Sequence, residues 1–300
     1  MEEIKKFAEE VAAQIKDYLP STFNTAKVEV AEVRKGRKLC TQLSVFKNAE
    51  GSSSAALSIP LEAYYSSMSP TETAIKIAKV ILDCDGETDR MNSVIKILTD
   101  YKSVQSKIFI RLYSTEPAIA PDLPHQTVAN DLAAVCYVDL GNETETGYTV
   151  NVTNAMLKKW NKDFESVFAD AQTNMITCYT YDSMYEILKS IAVKMFPEEI
   201  AEEMFEDTKN APWRILSNKD KVLGAGMLAV PAVLEKVFGD KPHLILPSSS
   251  HEVIAMPVGI ITPNAAKDMV VEVNAEIVAP EEQLSDSVYL YKDGKIIKYV

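Results

Sequence analysis

The sequence predicts an α+β protein whose antiparallel sheets carry helices packed on one face. Three observations lead there. Apolar residues recur at helical spacing in several short stretches; others alternate with polar residues in paired runs joined by tight turns; and helix and hairpin recur in one order. That recurrence suggests three loosely repeated helix–three-strand–helix units, over residues 1–86, 87–181 and 182–300, matched in element order and not in residue identity.

In the first unit Ile4, Phe7, Ala8, Val11 and Ile15 line one side of an opening helix that Pro20 closes. KVEVAEV (27–33) and KLCTQLSVF (38–46) alternate about a Lys-Gly turn and read as a hairpin, to which SSAALSI (53–59) can add a strand. LEAYYSSM follows as a helical stretch. Ser69-Pro70-Thr71-Glu72 then supplies a cap residue, proline at the first helical position and glutamate three residues on, so a helix through TAIKIAKVIL is expected.

The second unit runs from a helical DRMNSVIKILTDY (89–101) through strands at SKIFIRLYS (106–114), DLAAVCYVDL (131–140) and YTVNV (148–152). EPAIAPDLP and NETETG connect them, and NAMLKKW with NKDFESVFADA forms a helical pair. In the third, YEILKSIAVKMF and PEEIAEEMFEDT (185–208) are helical, and WRILS, HLILPS and EVIAMP are strands. A helix over 220–238 is inserted between the first two of those strands. TPNAAKDMVVEVNAEIV (262–278) is the closing helix, and VYLYKDGKIIKYV is a hairpin about Asp293-Gly294.

With 300 residues and 47% hydrophobic content, the chain can bury a substantial core. Its net charge of -12 and pI near 4.9 repel phosphate backbones and anionic lipid, so neither nucleic acid nor membrane is an expected partner. VRKGRK (33–38) is the one dense basic run and has turn composition. Cys40, Cys84, Cys136 and Cys178 form no CxxC pair, as expected of reduced thiols in a cytosolic protein. MEEIKKFAEEVAAQIKDYL is too charged for a signal peptide, and VLGAGMLAVPAVL (222–234) is too short for a bilayer span and contains proline. The expectation is a cytoplasmic protein, in which the N-x-T sequons at Asn142 and Asn151 carry no weight.

Chemistry-bearing motifs are few. LGAGMLA (223–229) has the GxGxxA spacing of a dinucleotide turn, yet Asn218-Lys219-Asp220-Lys221 separates it from the preceding strand and the next strand ends in Pro247-Ser248. No Walker lysine follows, so no cofactor is expected. His125, His243 and His251 are widely spaced and none pairs with another at i+3 or i+4, so no metal site is expected, and His251 and Glu252 point to opposite faces of a strand. The carboxylate pairs Glu198-Glu199, Glu202-Glu203 and Glu281-Glu282 read as solvated faces and loop ends. LILPSSSHEVIAMP (244–257) is the densest cluster of reactive types. Alternation puts strands on either side of it and the serines in the turn, where hydroxyls bond nearby N–H groups.

The segment ILSNKDKVLGAGMLAVPAVLEKVFGD with LILPSSSHEVIAMP resembles the C-terminal signature of an uncharacterised protein family of gut Firmicutes. That signature is L-[TS]-N-K, then G-A, then I-L-P-S-S-x-H-E-V. Leu216, Ser217, Asn218, Lys219, Gly224, Ala225, Ile245 to Ser249 and His251 to Val253 carry it here, with Ser217 where threonine is commoner. The resemblance reaches EVNAEIVAPEEQLSDSVYLY (272–291) and, more loosely, KIFIRLYS and LKKWNKD. The family has no known function, so the resemblance implies a free-standing cytoplasmic bacterial protein and no mechanism. It groups Asn218, Lys219, Ser248, Ser249, His251 and Glu252 as one candidate binding surface. The leading expectation is a non-enzymatic protein that binds another protein or a small ligand. The alternatives are a hydrolase or transferase using His251 with a serine of 248–250 or Glu252, and an acidic inhibitor that imitates nucleic acid.

Overall fold

The computed structural model describes residues 2–35, 37–47, 56–84, 97–141, 149–247 and 249–300. Its contacts gather the chain into two units, Met1–Ser103 and Val104–Val300. Every strand pairing among the described residues is antiparallel.

The first unit holds a three-stranded meander, β1 (Lys27–Lys35), β2 (Lys38–Phe46) and β3 (Ala56–Pro60), with β2 in the middle. Alternation along β2 turns Leu43 and Val45 inward. They meet the Glu2–Gln14 helix through Phe7, Ala8 and Val11 and the Pro70–Asp83 helix through Ala74, Ile77, Ala78 and Ile81. Each fully buried Leu or Ile contributes about 1.5–3 kcal/mol relative to exposure. The expected cap is formed: Glu72 N–H donates to Ser69 Oγ at 3.3 Å, and Ser69 N–H donates back to Glu72 Oε2 at 3.0 Å. The Ser69 hydroxyl, which donates to Glu72 Oε2 at 2.7 Å, and then the Ser69 N–H hold the Glu72 carboxyl below the usual carboxylate range. Most of the helix expected at 89–101 lies outside the described residues.

The second unit contains two sheets. The smaller joins β4 (Ile108–Ser114), β5 (His125–Ala129), β6 (Leu132–Asp139) and β7 (Thr149–Asn151), with β6 central. It has four strands where the sequence predicts three. HQTVA has too few apolar residues to read as a strand; β6 recruits it by pairing. The larger sheet has the order β13-β12-β10-β11-β9-β8, from β8 (Tyr179–Ser183), β9 (Arg214–Asn218), β10 (His243–Leu246), β11 (Val253–Pro257), β12 (Tyr289–Lys292) and β13 (Lys295–Lys298). The division expected after residue 181 falls inside β8. β10 is buried over its whole length, which explains its unbroken apolar run, and Phe238 packs on it from the Pro231–Phe238 helix, 4.6 Å from the His243 ring.

Two devices join these sheets. The first is Asp131, in the turn between β5 and β6. Its Oδ1 accepts from the buried Tyr289 hydroxyl at 2.5 Å, and its Oδ2 accepts from Lys298 Nζ at 2.8 Å and Ser285 Oγ at 3.2 Å. Burial pushes this carboxyl up, but the bonds from Lys298, Tyr289 and Ser285 outweigh it and hold the carboxyl below the usual aspartate value. The second is the segment 220–238, expected as one helix. It divides into a 3-10 helix, Gly224–Ala229, and an α-helix that Pro231 opens. The 3-10 helix is wholly buried between β4 and β9. At Gly226 a Cβ would stand 1.9 Å from the Ile110 carbonyl oxygen on β4, so only glycine fits.

No described helix is long and apolar enough to cross a membrane.

Candidate functional site

Three chain segments meet at the end of the larger sheet where β9 stops and β11 begins. Leu216 pairs with Val253, and the next residue, fully buried Ser217, donates through Oγ to the His251 carbonyl at 2.7 Å. The chain then turns through 218–224 in a strained path. Lys221 and Leu223 both have φ of 56°, a left-handed conformation that costs a non-glycine residue about 1–2 kcal/mol.

Side chains hold that path. Asn218 brackets Val222, its Nδ2 donating to the carbonyl at 2.6 Å and its Oδ1 accepting from the N–H at 3.1 Å. Lys221 Nζ reaches Asp182 Oδ2 and Thr180 Oγ1 on β8, each at 2.8 Å. Leu223 N–H donates to His251 Nδ1 at 3.2 Å. A neutral ring that accepts at Nδ1 carries its proton on Nε2, and Nε2 lies 3.0 Å from Glu282 Oε1.

Glu282 arrives by backbone pairing. Ser250 N–H donates to the Glu282 carbonyl at 2.8 Å, and Ser249 bridges Gln283. Ser249 Oγ accepts from His251 N–H at 3.0 Å, and Ala225 N–H donates to the Ser250 carbonyl at 3.2 Å. Gly224 closes the cluster. A Cβ there would stand 2.2 Å from Ser217 Oγ, 2.6 Å from Asn218 N and 2.7 Å from the His251 carbonyl.

Of the sequence-predicted residues, Asn218, Lys219, Ser249, His251 and Glu252 lie at this end of the sheet, and Ser248 lies outside the described residues. Lys219 is exposed, its Nζ donating to the Thr177 carbonyl at 3.1 Å, and Glu252 is half-buried. The carboxylate that meets His251 is Glu282 and not its sequence neighbour. Glu282 reads as a solvated loop end because nothing local marks a partner 31 positions back. Leu223 was equally silent, since its contribution is a backbone N–H.

The arrangement is a lock. Among the described residues neither His251 nitrogen faces a serine hydroxyl, and the hydroxyls of Ser217 and Ser249 bond to backbone. LGAGMLA is likewise a packing device, with its glycines pressed against Ser217 and Ile110. Burial pushes the Cys136 thiol up to about 12 and raises that of Cys178, so neither supplies a ready thiolate. No group of three or more His, Cys, Asp or Glu among the described residues is placed to hold a metal ion. Two variants measure the lock. Ser217→Ala orphans the His251 carbonyl and His251→Ala orphans the Leu223 N–H, so each is expected to lower stability by about 1–3 kcal/mol in urea unfolding. A midpoint equal to the native one in both would show that the lock carries no load.

A family model described as a family of unknown function (DUF5688) matches residues 4–293, and the chain belongs to that family. Comparison with curated proteins gave no match, and comparison with solved structures gave none.

Proposed function

We propose that this DUF5688 chain acts by binding another macromolecule or a small ligand, and not by catalysis. One observation carries the reading: both ring nitrogens of His251 are engaged, Nδ1 by the Leu223 N–H and Nε2 by Glu282. A hydrolase or transferase built here needs Nε2 within about 3.2 Å of a nucleophilic hydroxyl. Of the six residues grouped as a contact surface, Lys219 and Glu252 are the ones a partner would meet. Asn218, Ser249 and His251 shape the loop that presents them. We place the protein in the reducing cytoplasm of a bacterium of the Firmicute group, a setting supported by four free cysteines. The test is covalent. A fluorophosphonate probe, which phosphonylates activated serines with loss of fluoride, is expected to leave the native chain unlabelled. Labelling that disappears in His251→Ala would overturn the binding reading.

A further inference from the structure

The 30-residue excursion between the neighbouring strands β8 and β9 carries large apolar side chains that the described residues leave exposed. It is a pair of short helices, Met184–Ala192 and Glu198–Met204. Apolar residues recur at helical spacing, as for core-facing helices, yet only Ala192 and Ala201 are buried in the two. Ile191 is 53% exposed, Met195 76%, Ile200 47% and Met204 51%, with Phe196 at 41%. So many large apolar side chains left in water on two neighbouring short helices and their connection mark an interaction surface. An open depression of about 580 Å³, lined by Lys189, Val193, Phe196 and Glu198 among others, adjoins these side chains and shares Phe196 with them.

Charge says what covers it. Six carboxylates fall between Glu198 and Asp207, interleaved with Ile200 and Met204. Lys189 answers two of them, Glu198 at 2.9 Å and Glu202, and Lys209 answers Glu206 at 3.3 Å. Glu199, Glu203 and Asp207 leave the rim acidic. A second copy would bring a like-charged rim against it, and anionic lipid would be repelled. Met195 and Met204 add unbranched, polarisable side chains that adapt to a partner's shape.

We propose that this helix pair is the docking site for a basic amphipathic helix of another protein, its leucine-type face on Ile191, Met195, Phe196, Ile200 and Met204 and its lysines or arginines on the acidic rim. This is the helix-in-groove mode, in which apolar anchors give affinity and the rim gives orientation. The inference rests on the binding reading and gives it a surface and a partner chemistry.

The experiment uses the full chain and three labelled peptides followed by fluorescence anisotropy. One is a leucine–lysine amphipathic helix, one its leucine–glutamate counterpart, and one a scramble of the first that disperses the leucines. The first alone is expected to bind, more weakly as salt rises. Met195→Asp/Ile200→Asp is expected to weaken it by at least about tenfold and Glu199→Lys/Glu203→Lys by a similar factor. All four positions are exposed, so unchanged circular dichroism is expected and would separate lost docking from lost folding. Equal binding of the leucine–glutamate peptide or of the scramble would overturn the proposal. So would native affinity in both variants, sedimentation of the free chain as a dimer that Met195→Asp dissolves, or binding to neutral phosphatidylcholine vesicles. A failure here with no probe labelling would leave binding in place and remove only this surface.

Discussion

Gly226→Ala is expected to lower the stability of the Val104–Val300 unit by about 3 kcal/mol, at the upper end for an overpacked site. The added Cβ would come 1.9 Å from the Ile110 oxygen and 2.7 Å from its carbonyl carbon. Both atoms belong to a strand that pairs with β6 along its length, so neither can step aside as a side-chain tip could. Met175 is also held: it lies 3.2 Å from the same Cβ, and its sulfur accepts the Ile110 N–H at 3.3 Å. Hydrogen exchange locates the damage. Protection is expected to fall in β4, β6 and β9 and to persist in the Glu2–Gln14 and Pro70–Asp83 helices of the other unit. Unchanged protection in β4 would refute so close an approach.

Asp131→Ala is expected to lower stability by about 2–4 kcal/mol at neutral pH. The Lys298 contribution is small, because that ammonium is 41% exposed and water screens it. The larger part comes from Tyr289, whose fully buried hydroxyl would lose its bond to the Asp131 carboxylate. Asp131→Asn keeps an acceptor for that hydroxyl and is expected to lose less. The pH dependence has a fixed sign. A carboxyl whose native pKa lies below its unfolded value contributes fully above the ordinary aspartate range, and loses that contribution as pH falls through the native value. Urea midpoints from neutral to strongly acidic pH are therefore expected to fall less steeply in Asp131→Asn than in the native chain. Parallel curves would show that Asp131 does not feel its neighbours.

What the sequence reveals of this fold is what short-range chemistry decides. Alternation gives β1, β2, β4 and β12, an unbroken apolar run gives β6, and Ser69-Pro70-Thr71-Glu72 marks a helix start to the residue. β5 and β8 are harder because a partner strand imposes them. β8 does carry a usable signal in its alternating Tyr179 and Tyr181, and Pro231 announces the break within 220–238. For the site, ILPSSSHEV draws the eye through its reactive residue types. Its actual partners, the Leu223 N–H and Glu282, come from 28 positions before His251 and 31 after it and leave no trace in local pattern. The glycines of LGAGMLA look like a phosphate cradle in sequence because close backbone approach demands glycine in either role.

β10 lies between β11, which follows it by a few residues, and β12, which comes from the last twelve residues of the chain. Until β12 is in place, that edge of β10 stays open. Leu244, Ile245 and Leu246 form on that edge the kind of apolar strand that pairs readily with another nascent chain. Tyr289 to Lys298 thus act as a cover for an aggregation-prone seam. A stop codon shortly before them would yield insoluble protein rather than a slightly less stable one.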